Sequence, residues 1–202
     1  MCETKSVYLM SDTWSKPSPS ISTFSSHLNP SLISPARFDR FRGPTSAAFL
    51  EWLTPSCLAS LPPYSSTLSV LLNEKGGIID DTVITKHSED AFYIVTNAGR
   101  RDRDLSWFVR KIEEWNNDSQ KSETGKVELE VLEGWGLLAL QGPEAAKYLQ
   151  TLTPFDLRSL TFGRSAFVPL EGFNLHIARG GYTGEDGFEV SSSFPDRSVS
   201  RY

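Results

Sequence analysis

Cysteine is scarce in this sequence: Cys2 and Cys57 are the only two in 202 residues. They form neither a metal-ligand spacing nor a disulfide framework, a usage that fits a reducing compartment. Histidine is as sparse. His27, His87 and His176 stand apart, with no His-x-x-x-His pair and no Cys/His cluster, so no metal site is expected. No apolar run reaches the roughly 20 residues of a membrane helix, which excludes a helical span. Positive charge is not in excess. A net charge of −5 gives no electrostatic reason to expect a nucleic-acid partner. Met1 to Met10 contains Glu3 and Lys5 and lacks a continuous apolar core, which argues against a secretory signal. Serine is abundant near the start, as in mitochondrial transit segments, but the first arginines are Arg37, Arg40 and Arg42.

What is present falls into three stretches. Residues 1–40 are rich in Ser and Pro with little periodicity and are expected to be poorly ordered. Residues 41–190 carry the apolar patterning of a folded region. Residues 191–202 form a polar tail. Within the folded stretch Thr45 is placed to cap a helix over Ser46–Leu53, and Pro55 follows its stop. From Asp102 to Asn116, Leu105, Phe108, Val109, Ile112 and Trp115 recur at one-face helical spacing. Asp102 and Asp104 suit the first turn of that helix, where the helix dipole favours anions. Strands are expected at Leu68–Leu72, Ile78–Ile84, Ala91–Thr96, Val127–Val131, Gly134–Leu140, Ser165–Leu170, Asn174–Arg179 and Phe188–Val190. An internal repeat links the two ends of this region. Gly43–Leu61 (GPTSAAFLEWLTPSCLASL) and Gly142–Leu160 (GPEAAKYLQTLTPFDLRSL) are identical at 10 of 19 positions. Each leads on to a strand and a glycine-bearing turn, so the expected fold is two related α+β halves.

Asn73 to Ile84 reads as a hairpin, because an apolar segment precedes a Gly76-Gly77 turn and a β-branched segment follows it. Asp80 and Asp81 sit inside its second strand. Consecutive strand residues point to opposite faces, so one carboxylate is turned to the covered side. Such a charge needs a partner or a task; the other reading is an edge strand whose charges deter aggregation. Gly180 to Gly187 places four glycines and Tyr182 in eight residues. That composition suits the close approach of a flat ligand, and equally a tight hairpin turn. It is not a phosphate loop, since no Gly-Lys-Ser/Thr follows. Glu189, between Phe188 and Val190, could take paired hydrogen bonds from a guanine- or pterin-like N–H/NH₂ edge. It could also be an outward-facing residue of an alternating strand. Arg100, Arg101 and Arg103 could dock an acidic partner or form a solvated surface.

Four motifs occur in order: Asn73–Ile84 (NEKGGIIDDTVI), Tyr93–Gly99 (YIVTNAG), Leu137–Pro143 (LLALQGP) and Gly181–Glu189 (GYTGEDGFE). Together they resemble the aminomethyltransferase family, the T proteins of the glycine cleavage system, in a fungal-like form. The resemblance covers Phe41 to Val190. It implies tetrahydrofolate as cosubstrate, no metal, and a lipoylated H protein as partner. The implied reaction moves the methylene carbon of an aminomethyl-lipoyl group to tetrahydrofolate and releases ammonia, in the mitochondrial matrix. It places the family's functional aspartate on Asp81, where it orients the folate nitrogen nucleophile and favours positive charge during transfer. Asp80 is then the structural neighbour. The family's pterin-binding Tyr and Glu fall on Tyr182 and Glu189, and Tyr93 and Val95 match strand residues lining the folate site.

The sequence also departs from the family pattern. Ser34 to Arg42 replaces a Phe-Asp-Val-Ser/Gly-His-Met type strand, and the family's C-terminal β-barrel domain, with its substrate-binding Arg, is not in these residues. The chain is therefore expected to be truncated at both ends. Two other readings stay open: an inactive or regulatory fragment that binds the H protein, and a folate-binding relative without transfer activity. Iron–sulfur assembly relatives carry a Lys-Gly…Cys motif, whereas Lys75 to Asp81 contains no cysteine.

Overall fold

A computed structural model describes residues 8–11, 36–132, 135–170 and 172–193. The chain divides into two compact units, Ala36–Glu133 and, together, Met1–Pro35 with Gly134–Tyr202. Each described unit is an antiparallel five-stranded sheet with helices packed on one face.

In the Ala36–Glu133 unit the elements run β2 (Ala36–Arg42), α1 (Ser46–Leu53), β3 (Ser65–Leu72), β4 (Ile78–Ser88), β5 (Ala91–Asn97), α2 (Arg101–Asn117) and β6 (Glu128–Val131). The strand order is β3-β4-β5-β2-β6. The other unit holds β1 (Tyr8–Ser11), β7 (Trp135–Gln141), α3 (Ala145–Gln150), β8 (Ser165–Leu170), β9 (Phe173–Arg179) and β10 (Gly187–Ser193), in the order β1-β7-β10-β9-β8. Read from the other edge, β8-β9-β10-β7 reproduces β3-β4-β5-β2 strand for strand, while the fifth strand comes from the end of one unit (β6) and from the start of the chain in the other (β1). The internal repeat thus reports two copies of one four-stranded topology. Their joints coincide as well. Gly43 and Gly142 have φ of 123° and 121°. Each donates its N–H at 2.9 Å, to the Asp90 and Asp186 carbonyls respectively. Only glycine adopts such backbone without strain.

The sheet begins earlier in the chain than expected. β2 starts at Ala36, within the segment read as poorly ordered, and pairs along its length with β5. It fills the place of the departed family motif as a strand. Tyr8–Ser11 pairs with β7, and β10 runs three residues past Val190. The Gly turn is as expected. Asn73 N–H donates to the Gly77 carbonyl at 2.8 Å, and Asn73 Oδ1 accepts from the N–H of Lys75 and Gly77.

Phe41, Phe49, Phe92, Ile94, Phe108 and Trp115 centre the core of the Ala36–Glu133 unit. Phe108 meets Phe41 edge-on at 5.0 Å, and Trp115 meets Phe49 edge-on at 5.6 Å. Thr45 does stand at the N-cap of α1, but its side chain does not cap it. Its hydroxyl instead donates to the Gly125 carbonyl at 2.9 Å and accepts from Trp115 Nε1 at 3.1 Å. A buried indole N–H needs an acceptor, and that need outweighs the cap.

The buried stripe of α2 is also rotated from the expected one. Asp104, Phe108, Lys111 and Trp115 are buried, while Val109 is exposed. Lys111 is tolerated there because Nζ reaches Glu74 at 3.0 Å and Glu114 at 2.7 Å, and lies 5.0 Å from the rings of Trp52 and Trp107. The Glu74 bond ties α2 to the β3–β4 turn. Arg100, Arg101 and Arg103 are all exposed.

In the other unit, Leu140, Leu149, Val168, Ile177, Phe188 and Val190 form the core beneath α3.

Candidate functional site

Strand register decides what each carboxylate of the Asp80-Asp81 pair meets. In β3–β4 pairing Asp80 lies opposite Leu71 and Asp81 opposite Val70. Leu71 is a core residue, so Asp80 faces the helix-covered side, where it is 7% exposed. Asp81 points the other way and is exposed. In β4–β5 pairing Val83 lies opposite Val95 and Thr85 opposite Tyr93. Asp81, Val95 and Tyr93 therefore share the face turned away from α1 and α2. Tyr93 is buried and its ring stacks on His87, with centroids 5.5 Å apart and planes at 10°. His87 in turn lies 5.4 Å from Tyr64. Burial, with Arg40 contributing second, holds the His87 pKa down to about 4, so the imidazole is neutral at pH 7.

Asn97 joins the two aspartates. Its side-chain Nδ2 donates to Asp80 Oδ1 at 3.0 Å and to Asp81 Oδ1 at 2.8 Å. Both of its N–H groups are thus spent on carboxylates from opposite faces of one strand. This residue lies in the quoted YIVTNAG motif, and its role is invisible until the register puts it beside Asp81. Asp104 was assigned above to the helix dipole. It is buried and interacts with Asp80. Burial and the Asp80 carboxyl push its pKa up to about 7, against the pull of Arg100 and Arg103. The spacing 104, 108, 111, 115 was the available signal, masked by the apolar residues beside it.

In the other unit Glu189 lies on the face of the sheet opposite to core residues Phe188 and Val190. Its cross-strand neighbours are Ala139 on β7 and Ala178 on β9. Two alanines flank the carboxylate and no described residue donates to it. Burial alone pushes its pKa up. In the matching strands of the two units Glu189 stands where Tyr93 stands, since Gly187 pairs with Gln141 as Ala91 pairs with Arg42. Tyr182 is 57% exposed at the tip of the β9–β10 connection.

That connection owes two of its four glycines, Gly181 and Gly187, to a protein group. An added Cβ at Gly181 or Gly187 would fall within hydrogen-bonding distance of the buried Gln141 amide, closer than any side chain allows. Gln141 Nε2 donates to the Gly180 carbonyl at 3.1 Å, and Thr183 Oγ1 reaches Gln141 Oε1 at 3.3 Å. Arg179 closes the base with a two-pronged pair to Asp186, at 3.0 and 2.7 Å, and a third bond to the Leu160 carbonyl. Gly181 and Gly187 thus make room for Gln141, and Tyr182 is presented to solvent. Among the described residues no group of three or more His, Cys, Asp or Glu could hold a metal ion.

Comparison with known proteins follows the same lines. The chain is 48% identical over 151 residues to the probable mitochondrial aminomethyltransferase of Schizosaccharomyces pombe, covering 74% of this chain and 37% of that protein. It is 46% identical over 159 residues to the mitochondrial aminomethyltransferase of Saccharomyces cerevisiae, covering 75% and 38%. The chain thus spans less than two fifths of the length of these curated relatives. The crystal structure of glycine cleavage system aminomethyltransferase T from Bartonella henselae superposes with a TM-score of 0.68 at 29% identity, over 93% of this chain and 42% of that one. A heterotetrameric sarcosine oxidase from Corynebacterium shares the fold alone, with a TM-score of 0.53 at 18% identity over 79% of this chain and 72% of that one. Residues 35–197 match the GCVT N-terminal domain, and the chain belongs to that family.

Proposed function

We propose that this chain serves aminomethyl transfer, moving the methylene carbon from an aminomethyl-lipoyl H protein to tetrahydrofolate with release of ammonia. The observation that carries the reading is the shared face of Asp81, Tyr93 and Val95. It sets an exposed carboxylate in line with an aromatic and an aliphatic wall. In this reading Asp81 is the catalytic group. A carboxylate held at a fixed place by Asn97 orients an amine nucleophile and stabilises positive charge as the carbon moves. Tyr93, Val95, Tyr182 and Glu189 bind the folate. Glu189 fits a pterin edge on chemical grounds. It is a half-buried carboxylate, flanked by alanines and lacking a described donor, and two ligand N–H groups would supply what the protein does not. The mitochondrial relatives support a place in the mitochondrial matrix, where the lipoylated H protein is the partner.

Titration with tetrahydrofolate tests the binding half. Ligand at 100 times its Kd should add about 2.7 kcal/mol to stability and raise the melting midpoint. Ammonia release from aminomethylated H protein tests the transfer half. Folate binding without ammonia release would reduce the function to binding alone, and the absence of both would refute it.

A further inference from the structure

Gln141 is wholly buried at the end of β7, on the same face of the sheet as Glu189. Register sets Gln141 opposite Gly187 and Glu189 opposite Ala139, so the two side chains are diagonal neighbours across the β7–β10 pair. The Gln141 amide fills the space where side chains of Gly181 and Gly187 would stand. Nε2 donates to the Gly180 carbonyl at 3.1 Å, and Oε1 accepts from Thr183 Oγ1 at 3.3 Å. Both chain neighbours of Tyr182, Gly181 and Thr183, thus rest on this one amide. Residues 181–185 are all exposed, so apolar burial does not fix their course. Glycine-rich chain has the most conformational freedom to lose, and polar ties must offset that loss.

The other unit shows that the fold itself does not call for glutamine at this position. Arg42 stands there: it pairs with Ala91 as Gln141 pairs with Gly187, and precedes Gly43 as Gln141 precedes Gly142. Arg42 is exposed and lies 3.9 Å from Glu130. Its neighbouring strands β4 and β5 are joined by two residues, Glu89 and Asp90, whereas β9 and β10 are joined by seven, 180–186. Both joints close alike, through the N–H groups of Gly43 and Gly142. The buried glutamine accompanies the long loop, and the exposed arginine the short one.

We propose that Gln141 is a positioning residue: it holds the 180–186 loop so that Tyr182 is set in advance to take a ligand beside Glu189. Its bearing on folate rests on the roles proposed for Tyr182 and Glu189; its hold on the loop does not. A loop ordered before binding spares the ligand the cost of ordering it.

Two variants test this. Gln141→Met keeps an unbranched side chain and removes its donor and acceptor. Gly181→Ala leaves Gln141 in the chain but drives its amide from the cradle, at an exposed position where folding is not at stake. In ¹⁵N relaxation of the free chain, the amides of 181–185 should have order parameters near those of rigid backbone, about 0.85, and fall below about 0.6 in both variants. A loop equally ordered, or equally mobile, in all three proteins would overturn the proposal. Kd and KM for tetrahydrofolate should rise about 10-fold in both variants, while kcat for ammonia release holds, because Asp81 lies in the other unit. Repeated in Tyr182→Ala, the same substitutions should weaken binding little further, whereas a general structural defect would add in full. Full additivity, or an unchanged Kd beside a loosened loop, would overturn the positioning role. An unmutated chain that takes no tetrahydrofolate would refute the folate reading instead, and the relaxation data then decide the hold of Gln141 on the loop.

Discussion

Replacing Gly43 with alanine tests the joint that both halves of the chain share. A Cβ at Gly43 would fall onto the carbonyl oxygen of Lys126, with the Lys126 carbonyl carbon 3.1 Å away. That neighbour is backbone, so no rotamer relieves the clash. Nor can Gly43 retreat. Its N–H is bonded to the Asp90 carbonyl at 2.9 Å, and its own carbonyl accepts from Ser46 at 3.0 Å. The φ of 123° adds a conformational cost of about 1–3 kcal/mol for any residue with a Cβ, and forced overpacking adds about 1–3 kcal/mol more. The sum is a large share of the ~5–15 kcal/mol that holds a domain. Gly76→Ala is the matched control, because Gly76 has φ 75° and nothing within 4 Å of an added Cβ. It carries only the backbone cost, about 1 kcal/mol. Urea unfolding followed by tryptophan fluorescence reads this unit, which holds Trp52, Trp107 and Trp115. With a slope of about 1–2 kcal/mol/M, the control should lose under about 1 M in midpoint. Gly43→Ala should lose two or more times as much as the control, about 1–6 M. Equal midpoints for the two variants would refute the steric half of the reasoning.

Three further outcomes are expected. Asp81→Asn should lower ammonia release by about 10²-fold or more while tetrahydrofolate affinity changes little, since the carboxylate acts on the transfer step; equal losses in both would return Asp81 to a binding role. Glu189→Ala should weaken folate binding about 30–100-fold by removing charge-assisted hydrogen bonds, without lowering the melting midpoint of the free chain, because the half-buried carboxylate receives no hydrogen bond from a described residue. His87 refuses below pH 6.5 a proton that the unfolded chain accepts, so its contribution to stability falls as pH drops from 6.5 to about 4. The loss is about 2 kcal/mol once its partial exposure is discounted, and His87→Gln should lose correspondingly less stability than the unmutated chain between pH 7 and 4.5, read by calorimetry.

How much of this was legible in the sequence depended on whether a local rule or a long-range pairing fixed the residue. Alternation put Asp80 and Asp81 on opposite faces without any structure, and the Gly-Pro repeat exposed the two halves because Gly43 and Gly142 need φ near 120°. Asp104 does stand in the first turn of α2 as expected, but that local rule gave no sign of its burial. Thr45 was misread because a Thr before a helix needs no Trp115 to explain it. The glycines of Gly180–Gly187 were open to two readings because the group that fills the space at Gly181 and Gly187, Gln141, lies some forty residues away in the chain.

The register of the two sheets carries the argument one step beyond the repeat. Aligned strand by strand, four apolar helix-covered positions of the two halves match in kind: Leu71 with Leu170, Ile84 with Ile177, Phe92 with Phe188, Ile94 with Val190; Asp80 and Thr82 answer instead to Phe173 and Leu175. On the opposite face Tyr93 answers to Glu189, Val95 to Ser191, and Asp81 to Asn174. A core position in either copy has the same task, to fill the space beneath a helix, and so takes the same kind of side chain. The opposite face has no such common task. The differences at Asp81, Tyr93 and Glu189 fall on the face that carries the residues proposed to bind the ligand.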